Sequence, residues 1–198
     1  MKAVARTETC NTHVFPSDLG WMALTWAGEW LTRVTFGHPS AAAVISSLEV
    51  EDNWAATEPV NAPKWIAQLA VRLQSYAAGK AEEFDDAPLE LSHLSPFQKK
   101  VVQACRRIKR GKVRSYGELA AAAGSPGAAR AVGSVMSRNR FPIIVPCHRV
   151  IASGRLLGGF SARDGLNMKR RMLALEGVEF PAKKTVAKPL VTASERLL

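Results

Sequence analysis

The stretch Tyr116-Gly117-Glu118-Leu119-Ala120-Ala121-Ala122-Ala123-Gly124-Ser125-Pro126-Gly127-Ala128-Ala129-Arg130-Ala131-Val132-Gly133-Ser134-Val135-Met136 decides how this chain is read. Tyr116 to Ala123 is rich in alanine, the best helix former, and stops at Gly124. Ser125-Pro126 then predicts a second helix start, with Ala128, Arg130, Val132 and Met136 following. Two short helices around a Gly-containing turn predict a helix-turn-helix. Upstream, Ser95-Pro96-Phe97-Gln98 is a capping box with proline at the first helical position. Phe97, Val101, Val102, Cys105 and Ile108 share the face of that helix, and Gly111 stops it. Downstream, Phe141 to Val145 reads as a short extended apolar run and Gly154 to Gly165 as a Gly-rich loop. Asp164 is placed to cap a last helix carrying Leu166, Met168, Met172 and Leu173, ended by Gly177.

The first half is patterned differently. Trp21 to Trp26 and Trp30 to Phe36 are rich in aromatic and β-branched residues, with Ala27-Gly28-Glu29 between them at hairpin spacing. In the second run Trp30, Val34 and Phe36 fall on one face and Arg33 on the other. Residues 1–17 show no period, and residues 37–60 are mixed. From Pro63 a helix is predicted, with Trp65, Ile66, Leu69, Leu73 and Tyr76 at helical spacing and Gly79 at its C-cap. Lys80 to Pro88 is acidic and reads as a linker, which puts a boundary near residue 90. The expected organisation is an α+β chain: a structural α/β part over 1–90, a mostly helical part over 91–180, and a basic tail over 181–198.

The 198 residues carry a net charge of +10, unevenly placed. Residues 1–90 have a net charge of −6 and residues 91–198 one of +16. Such asymmetry is the footprint of a half that meets a polyanion, although a basic soluble surface would look the same. A hydrophobic content of 47% excludes a disordered or fibrous chain. No apolar run approaches the roughly 18–20 residues of a membrane span. Glu8 lies where a secretory signal would be apolar, so none is expected. Three cysteines, Cys10, Cys105 and Cys147, are too few for a disulfide scaffold and point to a reducing interior.

Pro146-Cys147-His148-Arg149-Val150 carries the chemistry. A nucleophilic thiol must ionise, and a neighbouring His or Arg lowers its pKa. A buried structural cysteine remains the alternative for Cys147. Cys105 sits on an apolar helix face and reads as core. The second helix of the helix-turn-helix begins with small residues around one long cation, Arg130. It lacks the Asn, Gln and Arg that read major-groove bases, so contact through phosphates and the minor groove is expected. An Ala-rich packing helix is the bland alternative.

Ser115 to Ala120, Ala129-Arg130-Ala131-Val132-Gly133, Asn139, Pro142 and Ile144-Val145-Pro146-Cys147-His148-Arg149-Val150-Ile151 together resemble the O6-alkylguanine-DNA alkyltransferases. The match is close over about residues 95–178 and looser over the Trp21–Phe36 hairpin. Alkyltransferase-like proteins that only bind the lesion lack the cysteine of this motif. A thiol hydrolase using Cys147 and His148 is the other rival.

The resemblance implies a ribonuclease H-like first part and a winged-helix-like second one. It implies stoichiometric transfer of an alkyl group from O6 of guanine, and from O4 of thymine, in double-stranded DNA to Cys147. His148 would take the thiol proton through a water, oriented by Glu176, and Tyr116 would protonate the departing base. Arg130 would fill the gap left by the flipped nucleotide. Ala129, Ser125, Arg138, Arg140 and Tyr116 would contact DNA. Asn139, Val150 (through its carbonyl), Met136, Phe160 and Ser161 would shape the pocket. A cytoplasmic monomer (nuclear in a eukaryote) without cofactor is implied. Some relatives bind zinc in the first part, but Cys10, His13 and His38 are poorly spaced for it, so no metal is expected. The run Phe160-Ser161-Ala162-Arg163-Asp164-Gly165 is two residues longer than the family's loop and lacks its tyrosine phenol. Arg140 replaces a common proline.

Overall fold

The computed structural model describes residues 10–52 and 62–180; the basic tail expected at 181–198 lies outside them. Strands β1 (Asn11–Phe15), β2 (Trp21–Ala27) and β3 (Trp30–His38) form an antiparallel sheet in that order. Gly28 turns the β2–β3 hairpin at φ +55°, with Ala27 opposite Trp30. The register shifts between Thr25 and Trp26, so Trp26 faces Leu31 while Thr25 faces Arg33. This irregularity reverses the alternation predicted for Trp30. Leu31, Val34 and Phe36 go inward and Trp30 is exposed. β1 was not legible, and neither was α1 (Ala41–Asp52). α1 covers the second face of the sheet, where Val44 and Leu48 pack on Ala23, Val14 and Trp21.

Helix α2 (Lys64–Ala77) buries Ile66, Leu69, Leu73 and Tyr76 against the other face. Gly79, at φ +86°, closes it with a hydrogen bond to Tyr76 O. The acidic segment that follows is a connection held along its length. Leu31 N donates to Pro88 O and Glu90 N to Leu31 O, 2.8 Å each, while Arg106 Nη2 donates to the carbonyls of Phe84, Asp85 and Ala87. One apolar core runs from Met22 and Leu31 through Tyr76 to Val101 and Met172.

Helix α3 (Pro96–Arg106) begins on the predicted capping box, with Ser95 and Gln98 exchanging both bonds. Strand β4 (Arg114–Ser115) leads into α4 (Tyr116–Ala122), whose cap repeats the device with Ser115 and Glu118. Helix α5 (Ala129–Ser137) starts later than predicted. Ser125-Pro126 belongs to the turn, because Gly127 at φ +88° cannot be helical. Phe141 to Val145 is a turn and not an extended run: Ile143 sits at φ +74° and Val145 N donates to Phe141 O at 2.7 Å. The chain then makes a 3₁₀ turn, Cys147–Arg149, and a strand β5 (Val150–Ile151) parallel to β4. Helix α6 (Gly165–Leu175) closes the fold. Asp164 precedes it in the left-handed region without a side-chain capping bond, its carboxylate accepting from Asn167 Nδ2 instead. Among the described residues no helix is long and apolar enough to cross a membrane.

Candidate active site

Cys147 opens the 3₁₀ turn, 8% exposed, at the wall of a cavity of about 470 Å³. Asn139 ties the preceding turn together. Its Oδ1 accepts from Phe141 N (3.0 Å), and its Nδ2 donates to Val145 O (2.8 Å) and to Cys147 Sγ (3.2 Å). Pro142, Phe160, Ser161 and Arg163 line the same cavity, together with Arg33 and His38 from β3. Arg138 and Arg140 stand exposed at its rim, and Arg140 O accepts from Val34 N of β3.

Behind the thiol lies a buried polar network. Glu176, just past α6 where a glutamate is ordinarily solvated, is 6% exposed. Its Oε1 accepts from His148 Nε2 (2.8 Å), Tyr76 OH (2.8 Å) and Arg149 Nη2 (2.9 Å), and its Oε2 from Arg149 Nε (2.9 Å). Burial alone would raise the Glu176 carboxyl, but the hydrogen bonds from His148 and Arg149 and the Arg149 charge outweigh it and hold it well below the usual range. Burial lowers His148 below an ordinary histidine despite Glu176. The contact is therefore a neutral imidazole N–H on a carboxylate. His148 Nδ1 is buried with no partner among the described residues, so its lone pair is available as a base.

The expectation that the side chain of Arg149 or His148 lowers the thiol pKa needs correcting; from His148 only the backbone N–H does so. Arg149 is spent on Glu176 and on Ile108 O. Burial pushes the Cys147 thiol up, opposed by the Asn139 hydrogen bond and the charge of Lys169. Lys169, fully buried on α6, donates to the carbonyls of Val150 (2.6 Å), Leu157 (2.5 Å) and Gly159 (3.3 Å). Burial takes it down to about 8. The Val150 carbonyl, expected to face guanine, thus already accepts one bond and retains one lone pair.

The other sequence-derived residues fall on the helix-turn-helix side. Tyr116 is the first residue of α4, half-buried, with its hydroxyl 3.5 Å from Gly159 O. Burial raises its phenol. A Cβ on Gly158 would come within 3.1 Å of the Tyr116 ring, so the Gly-rich loop packs against this phenol. Ser125 lies in the turn, and Ala129 and the exposed Arg130 begin α5. Met136 is buried in the main core. Among the described residues no group of three or more His, Cys, Asp and Glu side chains could hold a metal ion.

Two residues of the site were missed. Tyr76 was read only as part of an apolar stripe, yet a phenol on such a stripe needs a buried partner. Lys169 falls between Met168 and Met172, on the arc of α6 that had to be core, and its charge there was the signal.

A pocketed cysteine beside a His–Glu pair, next to a helix-turn-helix candidate, defines a thiol group-transfer protein directed at nucleic acid. The model of the 6-O-methylguanine DNA methyltransferase DNA-binding domain matches residues 96–178. The methylated-DNA–protein-cysteine methyltransferase of Methanosarcina acetivorans is 36% identical over 168 residues, covering 83% of this chain and 96% of that protein. The enzyme of that name from Mycolicibacterium paratuberculosis is 44% identical over 124 residues, covering 63% of this chain and 73% of that protein. The crystal structure of Mycobacterium tuberculosis OGT in complex with DNA superposes with a TM-score of 0.68 at 34% identity, covering 84% of this chain and 93% of that one. The chain belongs to the methylated-DNA–protein-cysteine methyltransferase family.

Proposed function

We propose that this chain reverses O6-alkylguanine damage in double-stranded DNA by taking the alkyl group onto Cys147. The observation that carries the reading is the placement of Cys147 Sγ at the cavity wall, with Asn139 Nδ2 on it and the next residue, His148, paired with Glu176 in the buried interior. His148 Nδ1 takes the thiol proton through a water. The thiolate attacks the alkyl carbon, an S–C bond forms, and the C–O6 bond breaks with its electron pair passing to the guanine. Tyr116 supplies the proton that neutralises the departing base. The product thioether offers water no activated leaving group, so each molecule acts once. O4-alkylthymine presents the same carbon–oxygen bond and is taken likewise.

The +16 charge of residues 91–198 supports binding to the phosphate backbone. Arg130, exposed at the start of α5 among small side chains, fills the place of the flipped nucleotide. Ser125, Ala129, Arg138 and Arg140 flank it as contacts, and Met136, Phe160, Ser161 and the Val150 carbonyl shape the base pocket. In this reading residues 1–90 form a ribonuclease H-like unit, and residues 91–180 a winged-helix-like unit in which the β4–β5 ribbon accompanies α3 to α5. The protein works as a monomer in the compartment that holds the DNA, without a cofactor. Transfer of labelled methyl from O6-methylguanine DNA, compared with a Cys147→Ser variant, tests the proposal. Transfer that persists in the variant would sink it.

A further inference from the structure

We propose that Tyr76, on α2 of the N-terminal half, is a positioning residue for the transfer, its hydroxyl fixing the protonation pattern of His148. The proposal rests on the reading of Cys147 as acceptor and His148 as base.

Its foundation is the arrangement around Glu176 Oε1. The Tyr76 hydroxyl lies 2.8 Å from that oxygen and 3.2 Å from His148 Nε2, so it flanks the His–Glu contact. Its single proton goes to the carboxylate, which has none to give. The phenol oxygen therefore presents only a lone pair to His148 Nε2. That nitrogen then faces two acceptors, Glu176 Oε1 and the phenol oxygen, and must carry a hydrogen itself. A bare Nε2 would put its lone pair against the carboxylate, or would pull the phenol proton away from Glu176. The first choice leaves the buried Nε2 lone pair without a donor, at a cost of about 1–3 kcal/mol; the second takes the phenol hydrogen bond from Glu176 Oε1 and leaves that oxygen with Arg149 Nη2 alone. With Nε2–H fixed, the neutral ring must hold its lone pair on Nδ1, the nitrogen without a partner among the described residues. The phenol thus does from the side what the carboxylate alone does less strictly.

The hydroxyl is held for this task. Tyr76 is fully buried; the Phe84 ring meets it edge-on at 6.2 Å and the Arg110 guanidinium lies 5.8 Å from its centroid. Burial and the Glu176 charge push the phenol well above an ordinary tyrosine, so it stays a donor. Tyr76 and Glu176 are 100 residues apart in sequence, so docking of the N-terminal half completes the proton relay as well as the fold.

Tyr76→Phe tests this, because it keeps the ring and its packing and deletes one oxygen. Full-length protein, wild type and variant, is compared in single-turnover methyl transfer, DNA affinity, thermal melting and ¹⁵N spectra of labelled histidine. The wild-type spectrum should show His148 with hydrogen on Nε2 and a bare Nδ1. The variant should bind DNA within about twofold of wild type, lose on the order of tenfold in transfer rate, and show both tautomers. A full transfer rate, or a slowed rate with the tautomer unchanged, would overturn the proposal and leave Tyr76 a packing residue. Should the variant not fold, the wild-type spectrum still decides against the proposal if His148 carries its hydrogen on Nδ1. Absence of methyl transfer by the wild-type protein would instead defeat the functional reading, and the spectra would still decide the role of Tyr76.

Discussion

The charges behind Cys147 and those in front of it obey opposite rules. Behind it, Glu176, Arg149, His148 and Tyr76 are buried and joined by hydrogen bonds. In front, Arg138, Arg140 and Arg163 stand exposed at the cavity, and Arg130 is exposed at the start of α5. Removing one member of the buried set strands its partners away from water, so each carries both fold and chemistry. Removing one exposed arginine strands nothing, and only a bound polyanion notices. A site of this design separates catalysis from binding, and variants can pull the two apart.

The sharpest separation is at the thiol. Cys147→Ser should abolish alkyl transfer, because a hydroxyl near neutral pH is far less nucleophilic than a thiolate, while DNA affinity persists. Labelled-methyl transfer with a parallel mobility-shift titration checks both halves, and joint loss of the two would mean that Cys147 supports the DNA surface.

Glu176→Gln should damage the buried set. Arg149 would lose its counter-charge, at a cost on the order of 3–5 kcal/mol, read as a lower denaturant midpoint, with transfer slowed in whatever remains folded. A midpoint equal to wild type would show the network to be dispensable for the fold. The same set fixes an acid limit. His148 is lowered in the folded state, so the unfolded chain binds the extra proton first and stability falls as pH drops past the ordinary histidine value of about 6.5. Glu176, also lowered when folded, adds stability above the ordinary carboxylate range and withdraws it as pH falls further. Denaturant midpoints at about pH 7.5 and about pH 5 should therefore differ in that direction; equal values would contradict the direction given for His148.

On the exposed side the effects are smaller and selective. Arg130→Ala should slow repair of duplex DNA roughly ten- to a hundredfold, since extruding a base costs a few kcal/mol and the guanidinium recovers part of it. Reaction with free O6-benzylguanine should change much less, because nothing is extruded. Equal loss on both substrates would assign Arg130 to the pocket or the fold. Arg140→Ala should be milder still: binding to all sequences weakens alike, and the slope of log affinity against log salt falls by about one. An unchanged slope would remove Arg140 from the phosphate contacts.

The two sides also differed in how much could be read from residues alone. Short-range chemistry was legible. The Ser95–Gln98 capping box, the Gly79 and Gly177 stops and the stripe of α2 are local patterns, and the structure has them. Long-range pairing was not. β1 has no period of its own and is a strand because β2 lies beside it. The shift at Thr25–Trp26 is invisible in β3, yet it turns Trp30 outward. Within the site, the Cys147–His148 pair and the tyrosine and arginine of the helix-turn-helix come with motifs. Tyr76 and Lys169 do not, since each acquires its chemistry from a partner far off in sequence and each hides on a face that reads as core. Phe141 to Val145 failed for a related reason: Asn139 clamps that segment into a turn, and apolar β-branched residues give no hint of it.

The central claim is that Cys147 ends the reaction bearing the alkyl group. Intact-mass measurement after incubation with an equimolar O6-methylguanine duplex, followed by peptide mapping, tests it directly. The account predicts one methyl group per protein in place of one proton, located on the peptide containing Cys147, with restored guanine in the DNA and no second turnover. Restored guanine without a gain in protein mass, or a methyl group on Cys105 or Cys10, would contradict it.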